Sequence, residues 1–223
     1  MDFRSLLSHA RGAPLIKICG LTRAQDALAC AQAGADLVGF VFHPPSPRQV
    51  ASAAVREFLT PGSLRVGVFV RQGAAEILAI MAEARLDLAQ LHGGQGPEVA
   101  VALGPERVIR VFWPEIHDEP GELAQALTSW SSLASAYLFD AGQGGGGHGR
   151  KLTGLNCPSP RPFFLAGGLK PSDLGTVWPG PDPLMVGLDF NSGLEKSPGV
   201  KDLAAVRELL VARAGFNRRE TRL

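Results

Sequence analysis

The chain has 223 residues, 22 Lys and Arg against 21 Asp and Glu, a net charge of +1 and 45% apolar residues. That length allows one large domain or two small ones around a sizeable core. The apolar share excludes a disordered chain, and the balanced charge excludes a global pull toward nucleic acid or an anionic membrane.

Strand-length apolar runs recur along the chain at 14–19, 37–42, 64–70, 86–92, 107–113, 136–140, 162–166 and 184–190. They are continuous rather than alternating, as expected of strands buried on both faces of a helix-covered parallel sheet. Helical patterning fills the intervals at 22–33, 52–59, 74–85, 97–103, 122–133, 171–177 and 202–214. The first of these opens on Thr22 with Gln25 three residues later, the spacing of a capping box, and Gly34 stops it. The last carries Leu203, Val206, Leu209 and Leu210 as a stripe. Residues 142–161 show no helix, so the sixth unit is the irregular one. Strand–helix alternation through eight units predicts an α/β fold, a single (β/α)8 TIM barrel, with a doubly wound sheet as the rival. The expected division is an N-terminal extension at 1–13, the barrel at 14–214 and a C-terminal tail at 215–223, whose basic end from Arg218 is expected to be solvated. The extension is expected to be disordered or packed on the outside.

Cys19, Cys30 and Cys157 form no CxxC pair, which excludes a disulfide scaffold or zinc module and points to a reducing compartment. Residues 1–13 lack the apolar stretch of a signal peptide, and no apolar run has membrane-spanning length, so a cytoplasmic location is expected.

In such a barrel, chemistry gathers where strands end. The first run ends Lys17-Ile18-Cys19-Gly20, the fourth Gln90-Leu91-His92-Gly93, the sixth Phe139-Asp140-Ala141-Gly142, and the eighth Asp189-Phe190-Asn191-Ser192-Gly193. Gly167-Gly168 and Ser192-Gly193 follow the seventh and eighth runs, where this fold often binds phosphate through backbone N–H groups. The alternative role for those glycines is to shape turns. Cys19 is a nucleophile, a general base or a small buried residue. As a base it would need a lowered pKa. Asp140 either braces the loop that follows it or serves as a general acid, for which its pKa must rise. The run from Gly142 to Gly149 contains a formal GxGxxG but opens no helix and fails the Walker pattern, so it reads as a loop beside Asp140, with Arg150 and Lys151 at its end.

Taken together, KICGLTRAQDA at 17–27, AGADLVGFVFHPPSPRQV at 33–50, LDLAQLHG at 86–93, FDAG with GGGGHG at 139–149, FFLAGGL at 163–169 and GLDFNSGLEKSPGVKD at 187–202 resemble the phosphoribosylanthranilate isomerase family of tryptophan biosynthesis. The resemblance implies a barrel enzyme without cofactor or metal, acting on a small phosphoribosyl substrate by an Amadori rearrangement, as a monomer or homodimer, with neither nucleic acid nor membrane as a partner. It implies Asp140 as the general acid that opens the ribose ring and Cys19 as the base that removes the C2′ proton. It places Arg48 at the substrate carboxylate, Gln90, His92 and Asp189 along the substrate, and Gly167, Gly168, Ser192 and Gly193 at the phosphate. Asn191 stands where the family often has serine, His148 where it has a small hydroxyl residue, and residues 150–154 depart from its loop ending. Other readings of the residues are an aldolase using Lys17 as a Schiff-base amine, a binder of phosphate ligands without turnover, and a dual-substrate relative. The last usually employs paired aspartates, and Cys19 argues against it.

Overall fold

The computed structural model describes residues 2–8, 12–117, 119, 121–142, 158–180 and 182–220. Eight parallel strands close into a barrel: β1 (Leu15–Ile18), β2 (Leu37–Val41), β3 (Leu64–Phe69), β4 (Leu88–Leu91), β5 (Val108–Phe112), β6 (Ala136–Phe139), β7 (Phe163–Leu165) and β8 (Met185–Phe190). β8 returns to β1 with Lys17 opposite Asp189. Each strand falls within one of the eight apolar runs, and most of their residues are buried, which explains why the runs do not alternate.

Helices α1 (Phe3–Ser8), α2 (Ala24–Gln32), α3 (Ser52–Arg56), α4 (Ala74–Glu83), α5 (Pro97–Leu103), α6 (Glu122–Ser129), α7 (Leu174–Val177) and α8 (Leu203–Glu220) accompany the strands. A short antiparallel hairpin, β9 (Glu195–Ser197) and β10 (Val200–Lys201), precedes α8. The sixth interval shows no helix among its described residues, and the glycine-rich loop, His148, Arg150, Lys151 and Cys157 lie outside the described residues.

Three local expectations are corrected. The N-cap of α2 is Arg23, which makes no side-chain cap. Thr22 instead donates its hydroxyl to the Gly199 carbonyl at 2.6 Å, tying the start of α2 to the β9–β10 turn. Residues at the N-terminus are not an external appendage: α1 buries Phe3 and Leu6 in one cluster with Leu15, Leu37, Leu88 and Ala136, the first residues of their strands. The helix therefore plugs the N-terminal end of the barrel. Finally, α8 runs on to Glu220 rather than ending at 214. Arg213 fastens it, donating to the Pro14 carbonyl at 3.0 Å and to Asp36 at 3.2 Å.

The barrel interior is graded. Its lower half is apolar, with Leu15, Leu37, Val66, Leu88 and Ile109 meeting α1. Its upper half carries Lys17 and Cys19 from β1 and its end, Gln90 from β4 and Asp189 from β8. Polar side chains buried in a barrel need partners, and this grading concentrates them at the C-terminal mouth.

Candidate active site

A cavity of about 790 Å³ opens at that mouth. Cys19, Arg48, Gln90, His92, Asp140 and Asp189 all line it, as do Gly167, Gly168 and Ser192. Gly193 does not. It packs behind the cavity, where an added Cβ would overlap the Leu169 carbonyl.

Cys19 is 5% exposed and packs with Val41 and Val68. Gly39, on the neighbouring strand, makes room for it: a Cβ there would stand 2.7 Å from Sγ. Burial pushes the thiol up from its ordinary pKa, against the pull of the Lys17 ammonium. The lowered value that a base would need is therefore not supplied by the environment as a whole, because desolvation outweighs the nearby cation. Lys17 is fully buried and donates to Asp189 Oδ2 at 2.8 Å. It lies behind the cavity rather than on its wall, with its ammonium engaged. Such a pair costs desolvation and is held by its geometry; removing one partner costs about 3–5 kcal/mol. Asp189 Oδ1 has no hydrogen-bond partner among the described residues.

Asp140 follows β6, with 15% of its side chain exposed. Burial, reinforced by the Asp189 and Glu115 charges, pushes its carboxyl up to about 7. It therefore holds a proton for about half the time at neutral pH. His92 Nε2 stands 3.8 Å from Asp140 Oδ2, and Gln90 Nε2 lies 3.2 Å from His92 Nδ1. Burial pushes His92 down to about 4, so the ring is neutral and this contact is no ion pair. Trp113 packs edge-on against the ring, with centroids 5.3 Å apart.

On the other side, Arg48 grips Glu195 with two parallel contacts, Nε to Oε1 at 2.9 Å and Nη2 to Oε2 at 2.7 Å. Lys201 donates to Glu195 Oε1 at 3.0 Å and to Asn191 Oδ1 at 3.1 Å. The β9–β10 hairpin is thus fastened to the cavity wall. Glu195 and Lys201 were missed as functional residues. The signal was present: two charges flanking a Pro-Gly turn in a motif already carrying the resemblance. At the seventh strand end, Gly167 and Gly168 have φ of +105° and +61°, a left-handed path that glycine adopts without strain. The N–H groups of Gly167, Gly168 and Ser192 donate to no other backbone carbonyl among the described residues, which leaves them available to an anion. Among the described residues no group of three or more His, Cys, Asp or Glu is arranged around a metal-sized space.

The family model described as N-(5′-phosphoribosyl)anthranilate (PRA) isomerase matches residues 16–212, spanning every strand of the barrel but β1's first residue. The chain belongs to the N-(5′-phosphoribosyl)anthranilate isomerase family. A relative of that name from Desulfovibrio desulfuricans is 46% identical over 203 residues, covering 90% of this chain and 95% of the relative. The phosphoribosyl anthranilate isomerase structure from Thermus thermophilus superimposes with a TM-score of 0.72 at 37% identity, covering 90% of this chain and 98% of that one. A further phosphoribosyl anthranilate isomerase structure, in complex with reduced 1-(o-carboxyphenylamino)-1-deoxyribulose 5-phosphate, matches with a TM-score of 0.70 at 28% identity, covering 90% and 98%. The chain is accordingly a barrel isomerase of tryptophan biosynthesis. The family match begins after α1, so the plug that closes the barrel from below lies outside it.

Proposed function

We propose that this cavity converts N-(5′-phosphoribosyl)anthranilate into 1-(2-carboxyphenylamino)-1-deoxyribulose 5-phosphate with Asp140 as general acid and Cys19 as general base. The observation that carries the assignment is the Asp140 carboxyl, poised near pH 7 in the same cavity as a buried thiol. A carboxyl that retains its proton at neutral pH can give it to the ribose ring oxygen. The C1′–O bond then breaks, the anthranilate nitrogen supplies its electron pair, and an open-chain iminium forms. The Cys19 thiolate takes the C2′ proton, whose bonding electrons neutralise the iminium as an enolamine. This tautomerises to the ketone.

The substrate carries an anion at each end, and the cavity offers a matching partner to each. Arg48 receives the anthranilate carboxylate, for which a guanidinium is suited. Its Nε and Nη2 are held by Glu195, which fixes the plane of the group. The N–H groups of Gly167, Gly168 and Ser192 take the phosphate, with Gly193 supporting their turn from behind. Gln90, His92 and Asp189 line the ribose between. His92, neutral, offers a hydrogen bond without competing for the Asp140 proton. The steps are proton transfers and one C–O cleavage whose electrons stay within the substrate, so the assignment calls on no cofactor. No described helix is long and apolar enough to cross a membrane, and a reducing cytoplasm is the compartment that keeps Cys19 as a thiol.

The test is turnover with freshly generated substrate, followed by loss of its anthranilate fluorescence. Cys19→Ser is expected to lose about 100-fold or more in kcat, the usual worth of a positioned base, with KM nearly unchanged. Wild-type rates in that variant would overturn the base assignment, and absence of turnover in the folded wild-type protein would overturn the reading of the cavity.

A further inference from the structure

Resting on Cys19 as the base, the mechanism has a gap: a thiol raised by burial is a poor source of thiolate. The arrangement beneath the cavity supplies an answer. Lys17 precedes Cys19 by two residues on β1, so both side chains enter the barrel. Lys17 has no exposure, and its ammonium is 2.8 Å from Asp189 Oδ2, while its charge favours ionisation of the Cys19 thiol two residues along the strand. Asp189 keeps Oδ1 without a partner among the described residues. One buried cation therefore stands between one fixed anion and one latent anion. We propose that Lys17 is a positioning residue that favours ionisation of Cys19 by sharing its ammonium between the sulfur and the Asp189 carboxylate.

The neighbouring charges do not do the same work. From β10, Lys201 also favours the thiolate, but its ammonium is committed to Glu195 and Asn191. From the loop after β2, Arg48 feels the sulfur, but its guanidinium is clamped by Glu195. From β8, Asp189 opposes ionisation of the thiol. From β6, Asp140 also faces this cluster, with its proton held on by the Asp189 charge and loosened by Lys17. His92, at the end of β4, is neutral and senses Lys17 only as a repulsion against gaining a proton. Lys17 is the cation placed to move its weight from Asp189 to sulfur as the thiol ionises. Gly39 yields the space that Sγ occupies.

A mere packing role for Lys17 would leave the thiol's ionisation where it is. The test is a pH titration of ultraviolet thiolate absorbance, taken for each protein as the difference from the same protein carrying Cys19→Ser. That subtraction removes Cys30 and Cys157 and needs neither substrate nor reagent access. Lys17→Met is expected to raise the Cys19 midpoint by at least about one pH unit, a tenfold smaller thiolate population at neutral pH. Asp189→Asn is expected to lower it, because the ammonium is then left to the sulfur. Lys17→Arg is expected to stay close to wild type. A midpoint unmoved by Lys17→Met, or raised by Asp189→Asn, overturns the proposal. If Lys17→Met does not fold, the direction of the Asp189→Asn shift decides alone. The outcome is separable from the base assignment. Should Cys19→Ser retain turnover while the midpoints move as expected, Cys19 is not the base, yet Lys17 still sets its ionisation.

Discussion

Asp140→Asn separates what the cavity needs from what the fold prefers. In the unfolded chain the Asp140 carboxyl returns to its ordinary value of 3.8, whereas in the barrel it is raised to about 7. Folding therefore favours the protonated form. Below about pH 4 both states carry the proton and the site costs nothing. As pH rises from about 4 to about 7, the unfolded state loses its proton more easily, and the folded state is penalised. Above about 7 the penalty is constant. The interval corresponds to a ceiling of about 4 kcal/mol for a carboxyl this buried, at 1.36 kcal/mol per pH unit. Asparagine keeps the shape and an oxygen for the Ala141 N–H without the charge. The variant is thus expected to gain stability over wild type as pH rises, by about 2 kcal/mol or more between pH 4.5 and 8, or about 4–8 °C in melting temperature. Its turnover is expected to fall by about 100-fold or more. The assay is urea unfolding of both proteins across that pH range, beside the fluorescence turnover assay. A stability difference that stays flat across pH would refute the raised carboxyl and, with it, the reason for naming Asp140 the acid.

Two further outcomes follow from the geometry. Glu195→Gln loosens the two-pronged grip on Arg48 and is expected to raise KM about tenfold, equivalent to 1.4 kcal/mol, with kcat within about twofold. Steady-state kinetics check this, and a fall in kcat at constant KM would contradict an orienting role. Phe3→Ala with Leu6→Ala unplugs the lower end of the barrel and is expected to cost about 3 kcal/mol of stability while kcat/KM is unchanged. Unfolding curves indistinguishable from wild type would show that α1 does not close the barrel in solution.

The strands were legible in the sequence because burial on both faces writes them as unbroken apolar runs, and the barrel then says which end of each run faces the cavity. Cys19, Asp140 and Asp189 could be picked out for that reason, since the first two close their runs and the third stands one residue before the end of its own. Where the reading failed, the determinant lay far away in the chain. Thr22 has the spacing of a helix cap, but its hydroxyl is taken by Gly199, 177 residues away. Phe3 and Leu6 lie in a six-residue helix, too short to show a period, and their burial depends on the open lower end of a barrel assembled from eight later segments. Glu195 and Lys201 look like the charged flanks of a surface turn until the hairpin is seen folded against Arg48. The direction of the Cys19 shift was also beyond the sequence. A strand-end thiol beside a lysine suggests a lowered value, and only the packing of Val41, Val68 and the closed wall behind them reverses it.

That reversal changes how the acid–base pair must be understood. Asp140 loses its proton near pH 7, while Cys19 loses its own above the ordinary thiol value. The proposed acid–base roles need the opposite arrangement, with the carboxyl protonated and the thiol ionised. The reactive form is therefore the minor tautomer of a pair that shares one proton, and a bell-shaped pH profile would report two values belonging to the pair rather than to either residue. Between those two values the reactive fraction is constant, because each gain in thiolate with rising pH is matched by a loss of protonated carboxyl. Its size depends only on the gap between the two groups. Anything that narrows the gap raises the rate without moving the optimum far. Burial has already brought Asp140 up toward the thiol. Lys17 acts on both groups at once, easing the ionisation of each, and Asp189 opposes both. The buried Lys17–Asp189 pair is then more than a costly piece of barrel packing. It sets how much of the enzyme stands ready, with a proton on Asp140 and none on Cys19, when the substrate arrives.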